Sequence, residues 1–178
     1  MKPVLRIVLL SALTASVLAA QIGLAFLPNV ELVTLLLLIY AIHLPFNDAL
    51  MIAILFAVLE ALVWGFGDWV IGYMWIWPLW MIVARLLVPL NKGNSDRWAI
   101  AGGAWGLLFG FLFSLQHAVL YGFTMGVAYW LRGISFDIIH AVSNYILILL
   151  LYKPLSTQFD RLYQRLEGTY GRNDKNRG

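Results

Sequence analysis

The chain has 178 residues, of which 62% are hydrophobic and only 12% charged, and it carries eight tryptophans. That balance excludes a soluble globular domain and points to an all-α integral membrane protein. The absence of cysteine removes disulfides, thiolate metal sites and cysteine nucleophiles, and the net charge of +3 informs only through where the charges sit.

The first apolar segment, about Val4 to Phe26, follows Lys2 and Arg6. Val17-Leu18-Ala19 resembles a leader cleavage site, yet apolar character runs on through Ile22, Leu24 and Phe26 and supplies the ~20 residues a span needs. Its small residues Ala12, Ala15, Ser16, Ala19, Ala20 and Gly23 share one helical face, where another helix can approach closely. Leu27-Pro28-Asn29-Val30-Glu31 then breaks the span, because Pro28 cannot continue a helix and Asn29 and Glu31 are costly in hydrocarbon. A short uncharged second segment, about Leu32 to Leu44, ends at His43-Leu44-Pro45-Phe46-Asn47-Asp48. Asp48 is the expected N-cap of a third helix, about Ala49 to Trp64, with Glu60 near its end.

Gly65-Phe66-Gly67-Asp68-Trp69 is a glycine-punctuated turn into a fourth segment, about Val70 to Leu90, which holds Tyr73, Trp75, Trp77 and Trp80. Most of these aromatics are expected in an interfacial belt. Asn91 to Arg97 is the clearest polar loop. The fifth segment, about Trp98 to Tyr121, carries Gly102, Gly106, Gly110 and Ser114 at four-residue spacing, a strip suited to tight helix packing, with His117 roughly in line. Gly122 to Arg132 reads as the end of that helix plus a loop, and the sixth segment as about Ile134 to Tyr152. Residues 1–155 are thus expected to form one six-helix transmembrane domain. Residues 156–178 form a polar, partly disordered cytoplasmic tail with a short amphipathic turn or two from Leu155, Phe159, Leu162 and Leu166.

At about 100° per residue, Asp137, His140 and Asn144 fall within roughly 60° of one another on the sixth helix, and the stripe continues as Leu147 and Leu151. One half of this helix therefore has a polar face, as a helix lining a pocket open to one side of a membrane needs. Six spans put Lys2, Arg6, Arg85, Lys92, Arg97, Lys153, Arg161, Arg165, Arg172, Lys175 and Arg177 on the side of both termini and only Arg132 opposite. The positive-inside rule makes the termini cytoplasmic and gathers the unusual polar groups at the outer end. The candidate binding residues are Asn29, Glu31, Trp64, Asp68, Trp69, Tyr73, His117, Asp137, His140 and Asn144. Their rings can stack on a small flat solute while carboxylate, imidazole and amide groups orient it.

Other chemistries find less support. Ser143 and His140 point away from each other by roughly 60° on a helix, and no Gly-x-Ser-x-Gly surrounds a serine, so no enzymatic function is expected. His117, His140 and Asp137 could make a metal ligand set, but no sequence-local pair supports it, and neither metal nor cofactor is expected. Neither a pore repeat, an inverted repeat nor a nucleotide-binding loop is present. The reading from another class is a non-transporting membrane scaffold or assembly protein, in which Asp137 and His140 join helices.

Six spans in about 180 residues, the small-residue first helix, Leu27-Pro28-Asn29-Val30-Glu31-Leu32-Val33-Thr34, the glycine-rich fifth segment and Phe136-Asp137-Ile138-Ile139-His140-Ala141-Val142-Ser143-Asn144 stand together over nearly the whole chain. In these features it resembles the substrate-binding membrane subunit, or S component, of an energy-coupling factor (ECF) transporter, a kind of ABC transporter. The resemblance implies a multi-pass protein of a prokaryotic plasma membrane that binds a vitamin or related micronutrient at its outer face. It also implies partnership with a transmembrane coupling subunit and two cytoplasmic ATPases that power toppling of the binding subunit, with no nucleic acid involved. On this chain Ala12, Ser16 and Ala20, or the overlapping Ala15 and Ala19, match the coupling face, with Ser16 where alanine is commoner. Leu27 to Glu31 matches the lid loop, and Asp137, His140 and Asn144 match the pocket face. A pyrimidine, pterin, flavin, deazapurine-like base or corrinoid all remain open as ligand.

Overall fold

The computed structural model describes Pro3 to Lys175, and those residues form six α-helices without a strand. They are α1 (Pro3–Leu24), α2 (Val33–His43), α3 (Phe46–Trp64), α4 (Asp68–Asn91), α5 (Ser95–Tyr121) and α6 (Phe123–Lys175). Lys2, Arg177 and the last residues of the expected disordered tail lie outside the described residues. Five helices are long and apolar enough to cross a membrane, and the chain is a multi-pass membrane protein on that ground.

The exception, α2, is also the centre. Its 11 residues rise only about 16 Å, roughly half the ~30 Å of a hydrocarbon core, so the helix alone is too short to fill that thickness. Instead it is wrapped by α1, α3, α4 and α6, and eight of its residues are buried. A helix buried end to end needs partners for its terminal amides and carbonyls. Glu31 supplies one set: its carboxylate accepts from the Thr34 N–H at 2.8 Å and from the Thr34 hydroxyl. Arg85 of α4 supplies the other, donating to the carbonyls of Ile42 at 3.1 Å and Leu44 at 3.3 Å. An acid at the N-terminus and a guanidinium at the C-terminus both match the helix dipole. Leu44 is extended (φ −93, ψ 159), the conformation favoured before Pro45, and this stops the helix.

Asp48 does not cap α3. The helix begins at Phe46 behind Pro45, and the Asp48 carboxylate lies in the first turn, bonded to the Arg6 guanidinium of α1, with Nε at 2.9 Å. The ion pair claims the side chain, while the negative charge remains favourable at the helix N-terminus.

α5 and α6 form the most extensive helix pair in the bundle. The loop expected over Gly122 to Arg132 is a single residue: Gly122 at φ 94 reverses the chain, a conformation a side chain would strain, and α6 begins at Phe123. The Gly102, Gly106, Gly110 strip faces α6. A Cβ on Gly106 would sit 2.8 Å from the backbone of His140 and Ala141, so only glycine lets the two helices approach this closely. α6 then runs past Pro154 without a break, and the amphipathic turns expected near Phe159 and Leu162 belong to this same 53-residue helix. Phe159 packs against Tyr40 and His43 with ring centroids 5.3 and 5.7 Å away, which extends the helical face beyond the apolar segment.

The belt expected for the tryptophans is also revised. Trp77, Trp80, Trp98 and Trp105 are buried. Trp80 donates its indole N–H to the Thr34 carbonyl at 2.9 Å and lies 5.0 Å from the Trp105 ring, so part of the tryptophan complement is core around α2. Trp64 and Trp130 remain exposed.

Candidate functional site

At the end of the bundle opposite the Arg6–Asp48 pair, the segment from Ala25 to Leu32 folds back over the helix ends. Asn29 takes the left-handed conformation (φ 58), which asparagine tolerates better than most residues. Two bonds fasten the segment to α6. The Ser143 hydroxyl donates to the Asn29 carbonyl at 2.7 Å, and the His140 Nε2 lies 3.0 Å from Glu31 Oε1. Glu31 thus serves two elements, capping α2 and pairing with α6. Burial opposes its charge, but the His140 ring and the Thr34 hydroxyl and amide outweigh that cost and hold the carboxyl below the usual carboxylate range. Asn144 extends the network, donating to the Thr34 hydroxyl at 3.2 Å.

Two cavities lie behind this segment. The first, about 350 Å³, sits beneath Leu27 to Glu31 and is walled by Trp64, Trp69, Tyr73, Trp77 and Phe109, with Glu60 and His140 on its lining. The second, about 610 Å³, opens between α4, α5 and the first turns of α6, and carries Asp137, His117 and Arg132. Asn29, Trp69, Tyr73 and Phe109 line both. Tyr73 is the aromatic hub, with Trp69, Trp77 and Phe113 set edge-on around it at centroid distances of 5.3, 5.6 and 6.2 Å. Phe109 stands edge-on to His140 at 4.9 Å and packs against the imidazole.

Asp137 reaches the second cavity because α5 has no side chain to block it. Its Oδ1 accepts from the Gly110 N–H at 3.0 Å, and a Cβ at that position would collide with the carboxylate. Its other oxygen, Oδ2, is buried without a hydrogen-bond partner among the described residues. The same is true of Glu60 Oε1 and the Trp77 indole nitrogen at the first cavity. Buried polar atoms without partners are unusual in a native fold, and here three of them belong to cavity-lining residues.

No family model, curated protein or solved structure matches the chain.

Of the candidate residues, Asn29, Glu31, Trp64, Trp69, Tyr73 and His140 line the first cavity, and Asn29, Trp69, Tyr73, His117 and Asp137 the second. Asp68 lines neither; it lies at the rim, 3.5 Å from His117 Nε2 and within reach of the Tyr121 hydroxyl at 3.2 Å. Asn144 also lines neither and is spent on Thr34 below the cavities. Ser143 bonds to backbone carbonyls rather than to the His140 ring, and among the described residues no three His, Asp or Glu side chains converge to hold a metal. Gln21, Trp77, Phe109, Phe113 and Tyr129 are lining residues outside the candidate set. Phe109 and Phe113 flank the glycine strip, and that position next to Gly110 was the available signal. Gln21, a lone amide near the end of an apolar helix, was another.

Proposed function

We propose that the chain is the substrate-binding membrane subunit of an energy-coupling factor transporter, taking up a vitamin or related micronutrient from the outer face of a prokaryotic plasma membrane. The observation that carries this reading is the pair of aromatic-walled cavities at one end of the bundle, the first of them covered by a short segment tied to α6 at Asn29 and Glu31. Such a segment can report occupancy: a ligand that favours its closed arrangement shifts the population towards it. Arg6, Arg85, Lys92, Arg97 and Lys153 belong to the other end, which the positive-inside rule makes cytoplasmic. α1 supplies the second feature. Ala12, Ala15 and Ala19 are exposed while Leu10, Thr14 and Val17 face the bundle, so these alanines are open to a coupling subunit; Ser16 is exposed too but bonds the Tyr40 hydroxyl of α2 at 2.7 Å, and Ala20 is half-buried. The chain contains no nucleotide-binding loop, and uptake on this reading draws on two partner ATPases.

A scaffold reading gains from one observation, that His140 and Asn144 both hydrogen-bond to protein groups. It gives no role to the cavities or to the unpartnered Asp137 Oδ2. The test is affinity purification from native membranes. A coupling subunit and two ATPases should accompany the wild-type chain and be lost with Ala15→Leu, while ligand binding persists. Recovery of the chain without such partners would remove the transporter reading.

A further inference from the structure

The first cavity also constrains the chemistry of what enters it, an inference that rests on the proposed binding function. Glu60 is 3% exposed and Trp77 2% exposed, and both line this cavity. Glu60 Oε1 has no donor and the Trp77 indole N–H no acceptor among the described residues. The neighbouring groups are committed: Glu31 holds Thr34 and His140, and His140 Nε2 is turned to Glu31. No lysine or arginine lines the cavity, whereas two carboxylates do. A buried carboxylate without a partner is costly, and the cheapest remedy is an N–H donor or a cation brought by a ligand. An anion placed here would face two acids, with only His140, already paired to Glu31, to offset them.

We infer that the first cavity binds a flat, amino-bearing heterocycle, neutral or cationic, whose N–H group meets Glu60 and whose ring nitrogen or carbonyl accepts from the Trp77 indole. The ring lies among Trp64, Trp69, Tyr73 and Phe109, which suit stacking and, for a cationic ring, cation–π attraction. Phosphorylated or carboxylated forms of the same ring are excluded by charge. The second cavity differs in this respect, because Arg132 as well as Asp137 lines it, so an anionic substituent on a larger ligand would be directed there.

The test uses the full chain in lipid nanodiscs and follows thermal unfolding with matched probes at millimolar concentration: thiamine and oxythiamine, nicotinamide and nicotinate, pyridoxamine and pyridoxamine phosphate. At least one amino or carboxamide member should stabilise the protein while its partner, lacking the amino group or carrying the anion, does not. Glu60→Gln should weaken that member's binding by roughly 10- to 100-fold, the range for a lost bond to a charged group, and Trp77→Phe should weaken it as well. Without ligand, Glu60→Gln should be no less stable than wild type, because the acid has no protein partner to lose. Asp96→Asn, at the far end of the bundle, should respond as wild type does. Preferential stabilisation by an anionic or deaminated member, or equal binding to Glu60→Gln, overturns this inference and leaves a binding protein. No response to any probe overturns both.

Discussion

The bond between Glu31 and His140 joins the covering segment, the N-terminus of α2 and the polar face of α6, so its removal is the most informative perturbation. Glu31→Ala strips the Thr34 N–H of its acceptor, worth about 1 kcal/mol as a helix cap. It also removes the charge-assisted bond at 3.0 Å to His140, worth about 1.5–3 kcal/mol. Both side chains are nearly inaccessible, at 10% and 4% exposed, so solvent screening removes little. The expected loss is ~2.5–4 kcal/mol, near the range for breaking a buried pair. Glu31→Gln keeps an acceptor for Thr34 and should cost about half as much. The assay is equilibrium unfolding in mixed micelles, followed by tryptophan fluorescence, on Glu31→Ala, His140→Phe and the double variant. A coupling energy of about 1.5–3 kcal/mol is predicted. Additivity within ~0.5 kcal/mol would refute the idea that the two side chains act as one latch.

Three further outcomes follow from the same geometry. Gly106→Ala places a methyl 2.8 Å from the His140 carbonyl and the Ala141 nitrogen, and should cost about 1–3 kcal/mol by forcing α5 and α6 apart; unfolding midpoints in nanodiscs would show it. Asp137→Ala should lower ligand affinity while leaving assembly with partners intact, and unchanged binding by calorimetry would remove Asp137 from the site. Ser143→Ala frees the Asn29 carbonyl from its 2.7 Å bond and should speed amide hydrogen exchange across residues 25–32. Equal protection in variant and wild type would show that this tether does not hold the segment.

Regular features were the legible ones. Apolar runs bounded by Pro28, Pro45, Gly65 and the Asn91 to Arg97 loop give the first five helices close to their observed bounds, because each breaker acts through its own backbone, whereas α6 begins at Phe123 rather than Ile134 and runs well past the expected Tyr152. The glycine strip was readable as a packing surface for the same reason. The single-residue reversal at Gly122 was not, since a mixed aromatic stretch containing two glycines looks like a loop until tertiary contacts select one of them. Asp48 shows a second limit: its local pattern fits a cap, but Arg6, 42 residues away in sequence, claims its carboxylate. The candidate site was legible as a polar stripe on α6, which brought Asp137 and His140 into view. Helical periodicity alone could not separate His140, which reaches a cavity, from Asn144 one turn below, which is consumed by Thr34. Nor could it mark Trp77 and Phe109 as wall residues, because an aromatic facing lipid and one facing a cavity carry the same letter.

The most direct test of the central claim is native mass spectrometry of the gently purified chain from a vitamin-replete host, repeated with Asp137→Ala. The account predicts a stoichiometric small-molecule adduct on the wild type that is lost in the variant, its mass giving the ligand class. No adduct on either protein, even after incubation with a panel of vitamins and their precursors, would contradict a binding subunit and leave the cavities without a ligand.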